Sequence, residues 1–218
     1  MRILNCITDF NHYFSAQTLH PQVAVAELFR ADFSLFDTKV YDMYALIMID
    51  GVFGELIRDG KPLPYTKGSL VTIRPGQSIE MKMDYTTKPQ GWMLAFKPEL
   101  LEKTGLGRDF YMFSYFNSDY SEAIRLTDME YGVIKNCFAN LYAELNTPKD
   151  HLSGQMIRLG IGTLLSYVKR YFEKQHTTSV LRSETLVGKL DTLLDKYLGS
   201  GLPAQHGQPT VTWCATQF

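Results

Sequence analysis

The sequence predicts an α+β protein in which an antiparallel β-sandwich or barrel is followed by long helices. Two observations carry this prediction. Residues 23–97 consist of short apolar runs separated by turn signals, a pattern typical of sandwiches and barrels. From Ser121 onward, the apolar residues instead recur with the period of an α-helix. The two patterns follow one another without mixing, which favours separate β and α layers.

The turns that separate the predicted strands contain Gly or Pro. Asp59-Gly60 is a strong signal for a two-residue β-hairpin, because both central residues of the favoured turn need positive φ. Lys67-Gly68 and Pro75-Gly76 predict two further turns. The strands predicted between these turns cover residues 23–30, 44–50, 53–58, 61–65, 69–74, 77–85 and 91–96.

The helical half begins with Pro98, which suits the first turn of a short helix. Thr127 is a predicted N-cap, with Glu130 in the capping-box position three residues later. We expect this helix to end at Pro148. Its apolar stripe comprises Tyr131, Ile134, Phe138, Leu141 and Leu145.

A second long helix is predicted over residues 152–175, and a third begins after Ser183. The polar stretch 174–183 is expected to separate them. Residues 199–209 are rich in Gly and Pro and predict a loop, after which Thr210 caps a last apolar segment. The stripe of the second helix comprises Ile157, Ile161, Leu164, Leu165, Val168 and Phe172.

Composition predicts a soluble cytoplasmic protein with no membrane segment. The formal net charge of −1 favours neither nucleic acid nor an anionic membrane. The three cysteines are widely separated, so neither a disulfide framework nor a zinc site is expected. Residues 1–10 lack the continuous apolar run of a signal peptide, and the apolar run 44–49 is too short to span a bilayer.

Several segments resemble AraC-type transcription regulators. Residues 92–101 are similar to the exit from the family's sensor domain, where a strand ends in Phe-His-Pro-Asp-Leu-Leu. Lys97 replaces the usual His there, and Glu99 replaces the usual Asp. The segments similar to the family's later helices are residues 122–130, 164–171, 190–198 and 207–215. The resemblance covers about nine-tenths of the chain.

The resemblance implies three regions. Residues 1–97 would form a cupin-like, jelly-roll-like β-barrel that senses a small-molecule effector. Residues 98–176 would form a helical hairpin for packing or homodimerisation, and residues 183–218 the incomplete start of a helix-turn-helix domain. Both recognition helices would lie beyond Phe218. We therefore expect DNA binding only of a full-length parent, and no DNA-reading residue in this chain.

Candidate effector-binding residues are the aromatic, Met and Arg side chains of the predicted strands. Such side chains combine apolar surface with a few polar groups, as small-molecule pockets do. The alternative is that they simply fill a small barrel, and a one-residue slip in register would reverse which face points inward. The candidates are Tyr44, Met48, Arg74, Met81, Met83, Tyr85 and Trp92.

The second helix is the candidate dimer interface. Gly154, Gly160 and Gly162 lie in or beside it, and each interior Gly costs roughly 1 kcal/mol against Ala, which suggests that another backbone approaches closely. That backbone could belong to the barrel, the neighbouring helix or a second subunit. The interface candidates are Ile157, Gly160, Ile161, Leu164, Leu165 and Val168.

No catalytic site, metal or cofactor is predicted. The chain lacks a nucleophile-elbow motif and a phosphate-binding loop. Its five histidines lie outside the predicted strands, although His12 and His20 could approach the barrel mouth with Glu27 or Glu55. Ordinary surface histidines are the favoured interpretation. The alternatives are a small cupin-like enzyme acting on sugars or organic acids, or a natural short regulator that forms inactive heterodimers.

Overall fold

A computed structural model describes residues 2–31, 39–83, 88–102, 113–116, 122–199 and 213–214. The chain divides into two compact units, Met1–Phe172 and Glu173–Phe218. The first unit contains both β-sheets. Within the second unit, the ring centroids of Tyr197 and Trp213 lie 4.6 Å apart.

The described residues form an α+β fold with ten strands and three α-helices, which confirms the predicted α+β class. The helices are α1 (Ile7–Tyr13), α2 (Asp128–Asn146) and α3 (Ser153–Gly199). The strands are β1 (Arg2–Leu4), β2 (Val23–Glu27), β3 (Lys39–Tyr41), β4 (Tyr44–Ile49), β5 (Gly54–Arg58), β6 (Lys61–Pro62), β7 (Ser69–Ile73), β8 (Ser78–Met83), β9 (Gly91–Phe96) and β10 (Ile124–Arg125).

The strands form two five-stranded sheets. The first has the order β1-β3-β8-β5-β6, and the second has the order β10-β7-β4-β9-β2. All pairings are antiparallel except that of β1 with β3. Both orders are linear over the described part of the chain.

The predicted hairpin at Asp59-Gly60 joins β5 to β6. Both turn residues have positive φ, 50° at Asp59 and 75° at Gly60, as a turn matched to the twist of the strands requires. The returning strand is shorter than predicted, because ladder pairing stops at Pro62, opposite Ile57. The predicted strand from Val23 is also shorter: it ends at Glu27 and continues as a 3-10 turn.

The second sheet is buried on both faces. Ala45, Ile47 and Ile49 of β4 point into a core shared with the first sheet. Leu46 and Met48, on the alternate positions, point into a second core formed with the helices. We call this second side the helix-covered face. It is mostly apolar, as a face shielded from water requires, and its buried Thr72 hydroxyl donates a hydrogen bond to the Tyr115 carbonyl at 3.0 Å.

The start of α2 forms the predicted capping box. The Thr127 hydroxyl accepts a hydrogen bond from the Glu130 amide at 3.4 Å, and the Thr127 amide donates to Glu130 Oε2 at 2.9 Å. The helix ends at Asn146, two residues before Pro148. Of its predicted stripe, all but the half-buried Tyr131 are fully buried: Ile134, Phe138, Leu141 and Leu145.

The predicted break between the second and third helices is wrong. Residues 174–183 are helical, and α3 runs from Ser153 to Gly199. The stretch is polar but contains neither Pro nor Gly, so nothing in its backbone chemistry ends the helix. The predicted loop at 199–209 and the cap at Thr210 lie almost entirely outside the described residues. None of the helices that the structure describes is long and apolar enough to cross a membrane.

Gly91, the first residue of β9, cannot carry a side chain at its present position. Its φ is +138°, and a Cβ would lie 2.0 Å from the carbonyl oxygen of Met48. We expect Gly91→Ala to lower the free energy of unfolding by about 3 kcal/mol, because both the backbone strain and the clash must be relieved. Chemical denaturation would measure the change.

Gly51→Ala is the matched control, because a Cβ there meets no described atom within 4 Å. A Gly91→Ala variant that unfolds at the same denaturant concentration as Gly51→Ala would contradict the close approach of β9 to β4.

Candidate functional site

Three predicted effector-binding residues lie on the helix-covered face rather than between the two sheets. The Tyr44 ring stacks on Phe96, with centroids 5.7 Å apart, and Met48 is fully buried. The Trp92 ring meets the Tyr142 ring of α2 edge-on, with centroids 5.2 Å apart. These side chains therefore attach the helices to the sheet.

Of the other predicted effector residues, the structure describes the side chains of Met81 and Arg74. Met81 packs against the core shared by the two sheets. Arg74 is half-buried, and its backbone amide donates to Gln77 Oε1 at 3.0 Å. The Met83 side chain and all of Tyr85 lie outside the described residues. Arg74 lies near Tyr44, where its charge partly offsets the burial that raises the pKa of the Tyr44 hydroxyl.

The space between the two sheets is occupied by buried apolar side chains. Small residues of the second sheet, such as Ala45 and Ala95, face larger ones of the first sheet, such as Leu56 and Ile79. This packing corresponds to the alternative in which the strand residues fill the interior.

A polar cleft lies instead where the edge strand β2 meets α1 and the C-terminal turns of α2. We call it the β2 cleft, and its volume is about 190 Å³. Six of its lining residues carry polar side chains: Asn11, Ser15, Gln17, Arg30, Tyr142 and Asn146. The rest of the wall is apolar and comes mainly from Leu19 and the strand residues 23–25.

Asn11 is the most buried polar group of the β2 cleft, at 3% exposure. Its Nδ2 donates to the Thr18 hydroxyl at 3.2 Å, which fixes the side chain. Ser15, immediately after α1, has φ of +50°, a left-handed conformation common where a helix ends. The Ala16 amide then donates back to the Asn11 carbonyl at 2.8 Å, so the chain turns sharply along the cleft wall.

Two cationic side chains lie close to His20, outside the lining of the β2 cleft, and we call them the rim cations: Lys149 and Arg158. Lys149 donates through Nζ to the carbonyl of Leu19, a residue of the cleft wall. Burial lowers the pKa of His20, and the charges of Lys149 and Arg158 lower that pKa further. His20 Nδ1 accepts a hydrogen bond from the Gln22 amide at 3.1 Å.

Sequence reasoning did not find the β2 cleft. Its walls come from residues 11–25, from Arg30 and from residues 142–146, which no local pattern connects. His20 was interpreted as an ordinary surface histidine. Among the described residues, no three His, Cys, Asp or Glu side chains come close enough to hold a metal ion.

The predicted dimer stripe of α3 is buried inside the chain itself. Ile157, Ile161, Leu164, Leu165 and Val168 pack into the core between α2, α3 and the second sheet. Gly160 faces α2, since a Cβ there would lie 2.8 Å from Leu141 Cδ2. The close approach at Gly160 is thus to the neighbouring helix, but to one of its side chains and not to its backbone as predicted.

A different stripe of α3 faces solvent. Leu152, Met156 and Leu159 are exposed by 46%, 52% and 56%. Thr163, Ser166 and Arg170 are also exposed and continue the stripe in steps of three and four residues. A shallow groove of about 320 Å³ runs beside its second half, between Leu159 and Arg170.

No protein-family model matches the chain, and no curated protein matches it.

The contact of Gly160 with α2 predicts opposite effects for two alanine substitutions. Gly132→Ala in α2 is expected to raise the free energy of unfolding by about 1 kcal/mol, because its Cβ meets no described atom within 4 Å and alanine favours the helix. Gly160→Ala is expected to lower it by about 1 kcal/mol, because the buried Leu141 must move. Denaturant titration of both variants measures the difference.

An equal stabilisation by the two substitutions would contradict the tight packing of α3 on α2. Both substitutions gain the same helix propensity, so this contribution cancels in the difference between their free energies of unfolding.

Proposed function

We propose that the chain is the effector-sensing and dimerising part of an AraC-type transcription regulator of the cytoplasm, and not an enzyme. Within it, the two sheets would form the cupin-like, jelly-roll-like barrel of that family, and α2 with α3 the helical hairpin. Supporting this, the family-like segment 92–101 covers the end of β9 and the following 3-10 turn. Segment 122–130 leads into α2, and segment 164–171 lies within α3.

The exposed stripe of α3 is the observation that carries the dimerising role. Contiguous exposed apolar side chains on a helix are typical of an interaction surface. The spacing from Leu152 through Met156, Leu159 and Thr163 to Ser166 and Arg170 alternates between four and three residues, which is the spacing of a two-helix seam.

A second copy of the chain is the partner that this stripe fits best. In a two-fold dimer, the same patch serves both subunits, so a self-complementary stripe suffices. Thr163, Ser166 and Gly162 are small, which lets a second helix approach closely along the groove. The predicted interface thus moves from the buried stripe to the opposite side of the same helix.

DNA recognition is assigned to no residue of this chain. A net charge of −1 gives no general attraction to phosphates.

We expect the purified chain to have twice the mass of one subunit in light scattering, and the variant Met156→Glu to have the mass of one. The substitution places two like charges in the seam, which removes apolar contact and adds repulsion. Leu159→Glu is expected to act in the same way.

Met129→Glu is the matched control, since Met129 lies on α2 at 82% exposure, outside the stripe. It should leave the mass unchanged. A single-subunit mass for the unmodified chain at all concentrations, or an equal effect of all three variants, would reject the dimer.

A further inference from the structure

We propose that the β2 cleft binds a small hydroxylated carboxylate, with the rim cations holding its carboxylate and the cleft amides holding its hydroxyl groups. The proposal rests on the proposed sensing function in one respect: it names the chemical class of effector that the chain would sense. Binding itself can be measured whether or not the chain dimerises or regulates transcription.

The size of the cleft sets the size of the ligand. Pockets for drug-sized ligands occupy roughly 300–1,000 Å³. The β2 cleft, at about 190 Å³, lies below that range. A compact molecule with a short carbon chain is the class that fits.

The lining of the cleft sets the polarity of the ligand. Asn11, Gln17 and Asn146 carry amide groups, which both donate and accept hydrogen bonds, and Ser15 adds a hydroxyl. A ligand hydroxyl also donates and accepts, so it can pair with either end of an amide. An apolar ligand would cover these polar groups without forming hydrogen bonds to them, at a cost in affinity.

The orientation of two amides is already fixed by the fold. Asn11 Nδ2 donates to Thr18, and Asn146 Nδ2 donates to the Tyr142 carbonyl at 2.8 Å. Groups that are held before binding lose little conformational entropy when the ligand arrives.

The rim cations set the charge of the ligand. Lys149 Nζ contacts the carbonyl of Leu19 in the cleft wall, and Arg158 lies close enough to His20 to lower its pKa, so positive charge accumulates at the Leu19 end of the cleft. The nearby Asp150 carboxylate accepts hydrogen bonds from the amides of Leu152 and Ser153, and its single negative charge offsets only part of the charge of the two rim cations. An anionic ligand would relieve the repulsion among the rim cations.

His20 is suited to donate a hydrogen bond to that anion. Its Nδ1 is an acceptor, since the Gln22 amide donates to it at 3.1 Å. The neutral imidazole must then carry its proton on Nε2. Arg30 contributes less charge, because its guanidinium pairs with Glu27 at 3.0 Å.

Calorimetric titration of the intact chain with gluconate and with sorbitol tests the proposal. The two molecules have the same carbon chain, and sorbitol has a hydroxymethyl group in place of the carboxylate. We expect gluconate to bind with a dissociation constant at least about tenfold lower than that of sorbitol, because charge-assisted hydrogen bonds are stronger than neutral ones. Fluorescence of Trp92, whose ring meets Tyr142 of the cleft wall, gives a second readout.

Lys149→Gln and Arg158→Gln should each weaken gluconate binding by about tenfold and leave sorbitol unaffected. Asn146→Asp, which adds a negative charge to the wall without changing its size, should also weaken gluconate binding. Lys82→Gln is the control, because Lys82 is exposed on β8 of the other sheet. Circular dichroism would verify that each variant folds.

Three results would overturn the proposal. They are no saturable gluconate binding at about 10 mM, equal affinity for gluconate and sorbitol, and equal effects of Lys82→Gln and Lys149→Gln. None of these bears on dimerisation, which light scattering measures separately. Conversely, if the chain binds gluconate but stays monomeric, the proposed ligand site is supported and the proposed dimer is rejected.

Discussion

The second sheet has apolar side chains on both faces, and each face needs a cover that excludes water. On the side of the first sheet, Ala45 and Ile47 share a hydrophobic core with Leu56 and Ile79. Toward the helices, side chains such as Leu46 would lie in water if α2 and α3 were removed. Burying one such side chain contributes about 1.5–3 kcal/mol. Helix α2 and the N-terminal turns of α3 are therefore part of the structural core of the first unit rather than an appendage to it.

The need to cover the second sheet also determines which side of α3 is exposed to solvent. The residues Ile157, Ile161, Leu164 and Val168 are committed to covering the sheet. A helix turns by about 100° per residue, so the positions of Leu159, Thr163 and Ser166 lie roughly opposite that stripe. Their exposure follows from the packing on the other side. Both the buried and the exposed stripe can be read in the sequence, but only the packing of α3 on the second sheet shows which of them remains available to a partner.

Much of the fold follows from local chemistry that the sequence displays. Asp59-Gly60 marks its hairpin because few residue pairs tolerate two positive φ angles, and Thr127 with Glu130 marks the start of α2. The sequence could not predict which side chains of β4 and β9 face the first sheet. Tyr44–Ile49 and Gly91–Phe96 show no alternation of polar and apolar residues that would mark one face of the strand. The short elements β1, β3 and α1 carry too few residues to show a period. The β2 cleft depends on contacts between distant segments, and no local signal encodes it.

The first turns of α3 carry the exposed stripe and one of the two rim cations, although no residue of α3 lines the β2 cleft itself. Arg158 is a rim cation, and its neighbours Ile157 and Leu159 belong to the buried and exposed stripes. A ligand that repositions Arg158 would act on the turns that present Met156 and Leu159. Thermodynamic linkage then requires reciprocity: if the dimer binds the ligand more tightly, the ligand favours the dimer by the same factor. A ligand bound equally by both states shifts nothing, however tightly it binds. The difference in affinity between monomer and dimer is thus the quantity that distinguishes a sensor from a passive binding cleft.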